Sequence, residues 1–162
     1  NPWASSARAP CSMILSTASR LLPGLWAATS SRTSLAKTSA AGAVLSALRR
    51  NEIVCLLCDR DIQGGGVEVS FFGETTTLPA GPAMLGMRAN AAVLPTAVYF
   101  TSKVDGHHAV IKPPLPMDRE GGLREAVSRT TQLLANDLED LIRRAPEQWH
   151  LFQPNWPSDP GY

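Results

Sequence analysis

From Ala43 onward the apolar positions of the chain fall into short ordered runs. AVLSALRR places Val44, Leu45 and Leu48 on one side of a short helix, with Asn51 as its stop. IVCLLC (53–58) is a continuous apolar run bounded by polar residues and predicts a central, parallel strand. A turn through Gln63-Gly64-Gly65-Gly66 leads into VEVSFF (67–72), a second strand with alternating sides. Between Pro79 and Asn90, residues Ala83, Met84, Met87 and Arg88 recur at helical spacing, and the prolines at 79 and 82 suit a first turn. AAVLPTAVYFT (91–101) reads as a strand interrupted by Pro95. HHAVIKPP (107–114) reads as its antiparallel partner after a Val104-Asp105-Gly106 turn. The clearest helix is Leu123 to Arg144, where Leu123, Val127, Thr130, Leu134, Leu138 and Leu141 step by threes and fours. Arg143 and Arg144 sit in its last turn, where cations oppose the helix dipole, and Pro146 ends it. Strands alternating with helices predict an α/β fold with a mixed central sheet flanked by helices.

Residues 1–42 break this pattern. They are rich in Ser, Ala and Thr, carry prolines at 2, 10 and 23, and sustain neither period. They read either as an Arg-rich, acid-free targeting segment or as a segment outside the domain's own sequence, such as a misread frame would produce. Either way, little stable structure is expected before about residue 36. The chain starts at Asn1, which suggests a fragment whose N-terminal side is missing or unrecognisable. The organisation expected is therefore 1–42 outside the domain, 43–157 as its C-terminal part, and 158–162 as a tail.

The net charge of +1 hides an asymmetry. Residues 1–51 hold six basic and no acidic residues, whereas the remainder holds nine basic and fourteen acidic. A nucleic-acid reading needs basic residues on a folded face with aromatics between them; here the cations are scattered through Ser, Ala and Thr, so nucleic acid is not the expected partner. Hydrophobic residues make up 44% of the 162, yet no run of about 18 apolar residues occurs, and no membrane span is predicted. Cys55 and Cys58 have the spacing of a metal or redox pair. On a strand, residues three apart face opposite ways, so these two thiols cannot converge on one zinc. His107, His108 and His150 have no metal-ligand spacing, and no metal site is expected.

Other common chemistries lack their motifs. There is no Gly-x-Ser-x-Gly elbow for a serine hydrolase, and Gly64-Gly65-Gly66 is not followed by Lys-Ser/Thr as a phosphate loop requires. Two acidic features remain. Asp59-Arg60-Asp61 stands after an apolar strand, at the edge where α/β sheets usually carry their sites; a solvated loop with an ion pair is the plain alternative. Glu68 alternates with Val67 and Val69, so it points to one face alone, as a solvent-facing strand residue also would.

Those residues carry a resemblance. Asp-x-Asp after a strand, a strand ending in Phe-Phe-Gly (71–73), a Thr/Pro/Gly-Pro-Ala segment opening a helix, and a strand containing Leu-Pro are similar to the C-terminal half of the lipid A acyltransferase superfamily. Asp59-Arg60-Asp61, Gly66-Val67-Glu68-Val69 and the tail PEQWHLFQPNW (146–156) resemble most the phosphatidylinositol mannoside acyltransferases. The resemblance covers about residues 43–157. It implies transfer of a long acyl chain from acyl-CoA, as co-substrate and with no cofactor, to a sugar hydroxyl of a membrane glycolipid. The implied location is peripheral, at the cytoplasmic face of the bacterial inner membrane. The family's general base is the histidine of a His-x4-Asp/Glu motif. Here Lys112, Pro113 and Asn155 stand five places after His107, His108 and His150, so these residues hold no such motif.

By the same resemblance, Glu68 belongs beside the family's histidine, orienting it or stabilising its charged form. Asp59, Arg60 and Asp61 would line the acceptor side, the carboxylates on sugar hydroxyls and Arg60 on a phosphate or a carboxylate. Phe71 and Phe72 should face opposite ways, one into the core and one along an acyl groove, with Gly73 and Thr76 nearby. Thr75 to Thr77 would offer hydroxyls or form a plain loop. Trp149 and Trp156 would pack against the domain or anchor at the membrane. A chain of this kind without its base is expected to be inactive. The alternatives are a non-catalytic lipid-binding remnant and a soluble CoA-binding domain.

Overall fold

The computed structural model describes residues 12–16, 40–62, 64–102 and 106–161. In chain order the elements are β1 (Ser12–Ser16), α1 (Ala40–Arg49), β2 (Val54–Leu57), β3 (Val67–Phe71), β4 (Glu74–Leu78), α2 (Gly81–Ala89), β5 (Ala92–Phe100), β6 (His107–Ile111) and α3 (Leu123–Arg143). A short 3₁₀ turn, Pro146–Gln148, comes after α3. The fold is mixed α/β, as the alternation of periods predicted. Gln63 and the Val104-Asp105 part of the second predicted turn lie outside the described residues, as does most of segment 1–42.

Four strands form one sheet in the order β2-β1-β5-β6, with β1 parallel to both its neighbours and β6 antiparallel to β5. Two expectations are corrected here. Ser12–Ser16 is an inner strand, although little structure was expected before residue 36. Its five residues are too few to display a period within a Ser/Ala/Thr-rich stretch. β2, expected at the centre, is instead an end strand of the described sheet, since a continuous apolar run does not reveal how many neighbours it has. The register sets Leu57, Ser16, Thr96 and Ile111 on one rung. Leu57 and Ile111, at its two ends, are 54% and 55% exposed.

The opposite face is covered. Val54 and Val93 share one cluster with Leu48 of α1, Leu85 of α2, and Leu134, Leu138 and Ile142 of α3. α1 stops at Asn51, whose φ of 64° is the left-handed conformation that Asn tolerates at a helix end. α2 ends the same way at Asn90, whose N–H reaches back to Gly86 and Met87 carbonyls. Along α3 the three- and four-residue apolar steps become a fully buried stripe of Thr130, Leu134, Leu138 and Leu141.

β3 and β4 form a separate antiparallel hairpin. Val69, Phe71, Thr76 and Leu78 face inward and are buried, whereas Glu68, Ser70 and Thr75 are exposed. β4 corrects the reading of Thr75–Thr77 as a plain loop: three threonines in a row hide an in-out alternation that only the partner strand makes visible. The hairpin turns through Phe72 and Gly73, with φ of 56° and 86°. Two left-handed residues in succession are what a two-residue hairpin turn of the primed type needs. α3 seals the open edge of β3 through side chains seven residues apart. Gln132 both accepts from the Ser70 N–H and donates to its carbonyl, each at 2.9 Å, and Glu139 accepts from the Phe72 N–H at 2.7 Å.

Candidate functional site

The end of β2 and the hairpin bring the predicted acidic residues to one region, but Asp59 and Asp61 part company. Asp59 is 7% exposed, and its Oδ2 accepts from the Trp149 indole N–H at 2.8 Å. Burial lifts its carboxyl above the usual carboxylate range, against the downward pull of that indole, its own backbone N–H and the charge of Arg60. Cys58 beside it is wholly buried, and desolvation raises its thiol far above the ordinary value, so it is an inert core group. Cys55 is exposed, so the two thiols diverge as strand geometry requires. Arg60 is half-buried.

Asp61 turns to the hairpin. Its Oδ2 accepts from the Gly66 N–H at 2.7 Å and from the Thr77 hydroxyl at 3.1 Å, and its Oδ1 accepts from the Gly64 N–H at 3.0 Å. Thr77 is the register partner of Glu68, so the two share the outward face of the hairpin. Glu68, Asp61 and Thr77 therefore stand together, with the Glu68 side chain open to solvent. Thr76, grouped with them in sequence, faces the other way: it is 6% exposed and its hydroxyl donates to the Asn155 carbonyl. Thr77, expected with Thr75 and Thr76 to offer a hydroxyl or lie in a plain loop, is a β4 residue whose hydroxyl reaches Asp61.

Phe71 and Phe72 correct a further expectation. Phe71 is fully buried, as one of the pair was expected to be. Phe72 does not lie on the opposite face along a groove. Its left-handed backbone swings the ring back, 4.8 Å from the Phe71 ring centroid and stacked on Trp149 at 5.8 Å. The Arg143 guanidinium lies 5.0 Å from its centroid, a cation on an aromatic face. Gly73 supplies the second left-handed residue of the turn. Trp156 completes the cluster, 5.9 Å from Phe71, and its indole N–H donates to the Phe71 carbonyl at 3.0 Å. Both tail tryptophans thus pack against the domain. Asp159 and Glu74 fasten the end of the tail, accepting from the Trp156 N–H at 3.0 Å and the Ser158 N–H at 2.9 Å.

The region has a closed inner side, where a cluster of four aromatic rings meets the buried Asp59 carboxyl through Trp149, and an open outer side bearing Glu68. An exposed carboxylate on a rigid hairpin can accept a proton or orient a donor brought to it. No described helix is long and apolar enough to cross a membrane.

Comparison with known proteins gives this arrangement a context. A family model described as bacterial lipid A biosynthesis acyltransferase matches residues 27–158, a span that begins upstream of Ala43. A phosphatidylinositol mannoside acyltransferase of Mycobacterium tuberculosis is 41% identical over 112 residues, which cover 69% of this chain and 33% of that protein. The protein of the same name from Mycolicibacterium smegmatis is 38% identical over 112 residues, covering 69% of this chain and 34% of its own. The chain spans about a third of the length of these curated relatives.

Proposed function

We propose that this chain, which belongs to the bacterial lipid A biosynthesis acyltransferase family, supplies the acid partner and the acceptor-side wall of an enzyme acting on phosphatidylinositol mannosides. The donor in this reading is acyl-CoA and the acceptor is a sugar hydroxyl of the glycolipid. The reaction takes place at the cytoplasmic face of the inner membrane, with the protein held peripherally. The names of the relatives support the acceptor class. The observation that carries the reading is the position of Glu68: a carboxylate on a strand that buries Val69 and Phe71 on its inner side, left open on the outward face.

The chemistry follows from that position. A histidine base takes the proton of the acceptor hydroxyl, whose oxygen attacks the thioester carbonyl carbon. The C–S bond then breaks, and the proton passes to the departing CoA sulfur. Glu68, beside the imidazole, accepts its second N–H, fixes the tautomer and stabilises the imidazolium. Arg60, half-buried next to Asp59, is the group for a phosphate on the acceptor side. The 162 residues contain no His-x4-Asp/Glu motif, so the base is contributed from outside them. That same feature favours a second reading, a non-catalytic lipid-binding remnant.

Glu68→Gln decides between them, in an enzyme that carries these residues together with the motif histidine. It lowers kcat by at least about tenfold while the acyl-CoA affinity stays within about twofold, because an oriented carboxylate acts mainly in the transition state. Unchanged kcat would make Glu68 an ordinary strand residue and overturn the reading.

A further inference from the structure

Three hydrogen bonds converge on Asp61, and what they hold is the frame of Glu68. We infer that Asp61 is a positioning residue: it clamps the Gly64–Gly66 turn and strand β4 together around Glu68, and does not itself hold the acceptor. The inference rests on Glu68 being the acid partner of the base.

The geometry is specific. Gly66 lies two residues before Glu68 on its own chain, and Thr77 lies directly opposite Glu68 on the neighbouring strand. Both donate to the same oxygen, Asp61 Oδ2. One carboxylate oxygen thus ties the lead-in of β3 to the residue that faces Glu68, and the other oxygen holds the turn at Gly64. The approach is close enough to exclude a side chain. A Cβ at Gly66 would fall 2.4 Å from the Leu78 carbonyl oxygen and 2.7 Å from Asp61 Oδ2. Gly64 and Gly65, with φ of 74° and 79°, give the turn the left-handed path that brings both amides to one carboxylate.

A carboxylate offers about four lone-pair sites. Asp61 commits at least three of them to the protein itself. A sugar hydroxyl could bind Asp61 fully only by displacing part of the clamp. Glu68 stands on the exposed face of a two-stranded hairpin whose open β3 edge is held by α3 at Ser70 and Phe72, beyond Glu68 itself. A carboxylate that must meet an imidazole needs placement within about half an ångström, and Asp61 is built to supply it.

Amide hydrogen exchange on the chain and kinetics on the enzyme carrying these residues with the motif histidine test the inference together. Asp61→Ala speeds exchange at the Gly64 and Gly66 amides by at least about tenfold. It lowers kcat with the acceptor KM held within about twofold. Thr77→Ser keeps the hydroxyl and behaves as the parent, whereas Thr77→Val moves in the direction of Asp61→Ala. The isosteric Asp61→Asn covers the case in which Asp61→Ala does not fold: it retains an acceptor and shows an intermediate effect on both readouts. The double variant Asp61→Ala/Glu68→Gln is no slower than Glu68→Gln alone, because one change acts through the other. Unchanged Gly66 exchange, a raised acceptor KM at constant kcat, or a fully additive double variant would each overturn the clamp. Full kcat in Glu68→Gln alone would overturn the role of Glu68, while Gly66 exchange still reports on the clamp by itself.

Discussion

Replacing Trp149 by Phe removes one donor from one buried carboxyl and keeps an aromatic ring in place. In the parent chain the indole N–H lies 2.8 Å from Asp59 Oδ2, and Asp59 is 7% exposed. A hydrogen bond to a charged group contributes about 1.5–3 kcal/mol net, so that is the expected cost at neutral pH, with a smaller packing loss added. For a chain of this size it lowers Tm by roughly 2–4 °C per kcal/mol. The cost must depend on pH, with a sign that follows from the direction of the shift. Burial raises the Asp59 carboxyl in the folded state, so its contribution to stability is whole below the ordinary carboxylate range. That contribution is lost as pH rises through the raised value. Trp149 opposes the rise, so Trp149→Phe deepens the loss and extends it to higher pH, and the substitution costs more at pH 8 than at pH 4. Asp59→Asn removes the ionisation, so Trp149→Phe in that background costs less and costs the same at both pH values. Urea unfolding followed by circular dichroism at pH 4, 6 and 8 on the four chains of this cycle measures each quantity. Equal costs at pH 4 and 8 with Asp59 present, or equal costs in both backgrounds, would refute the link between indole and carboxyl.

Phe71→Ala should be the most damaging single truncation in the hairpin, at about 3–5 kcal/mol, because a fully buried ring central to the aromatic cluster is lost; an unfolding midpoint within error of the parent would contradict that. Glu68→Gln, at an exposed strand position, should leave stability within about 0.5 kcal/mol by the same measurement.

What could be read from the sequence divides along physical lines. α3 was legible because its apolar residues repeat through most of its length, and β5 with β6 because a strand pair is bounded by turn residues. β2 was legible as a strand but not as an end strand, since neighbours are a property of the whole sheet. β1 and β4 escaped notice for opposite reasons: one is a short apolar run in a biased segment, the other a polar run whose alternation consists of a single residue type. Of the site, the outward direction of Glu68 followed from its alternation with Val67 and Val69. The split between Asp59 and Asp61 did not. It depends on Trp149, ninety positions away from Asp59, and on Thr77, which only the hairpin brings opposite Glu68. Phe72 was misdirected by treating the strand as continuing one residue too far, into a left-handed turn.

The central claim is that these residues form one part of an acyltransferase site whose base is contributed from outside them. A radiolabelled palmitoyl-CoA assay with phosphatidylinositol mannoside as acceptor tests it most directly. The 162-residue chain alone is expected to show turnover lower by about 10² to 10⁴-fold than an enzyme that carries the same residues with the motif histidine. Turnover by the chain alone at the rate of that enzyme would contradict the claim.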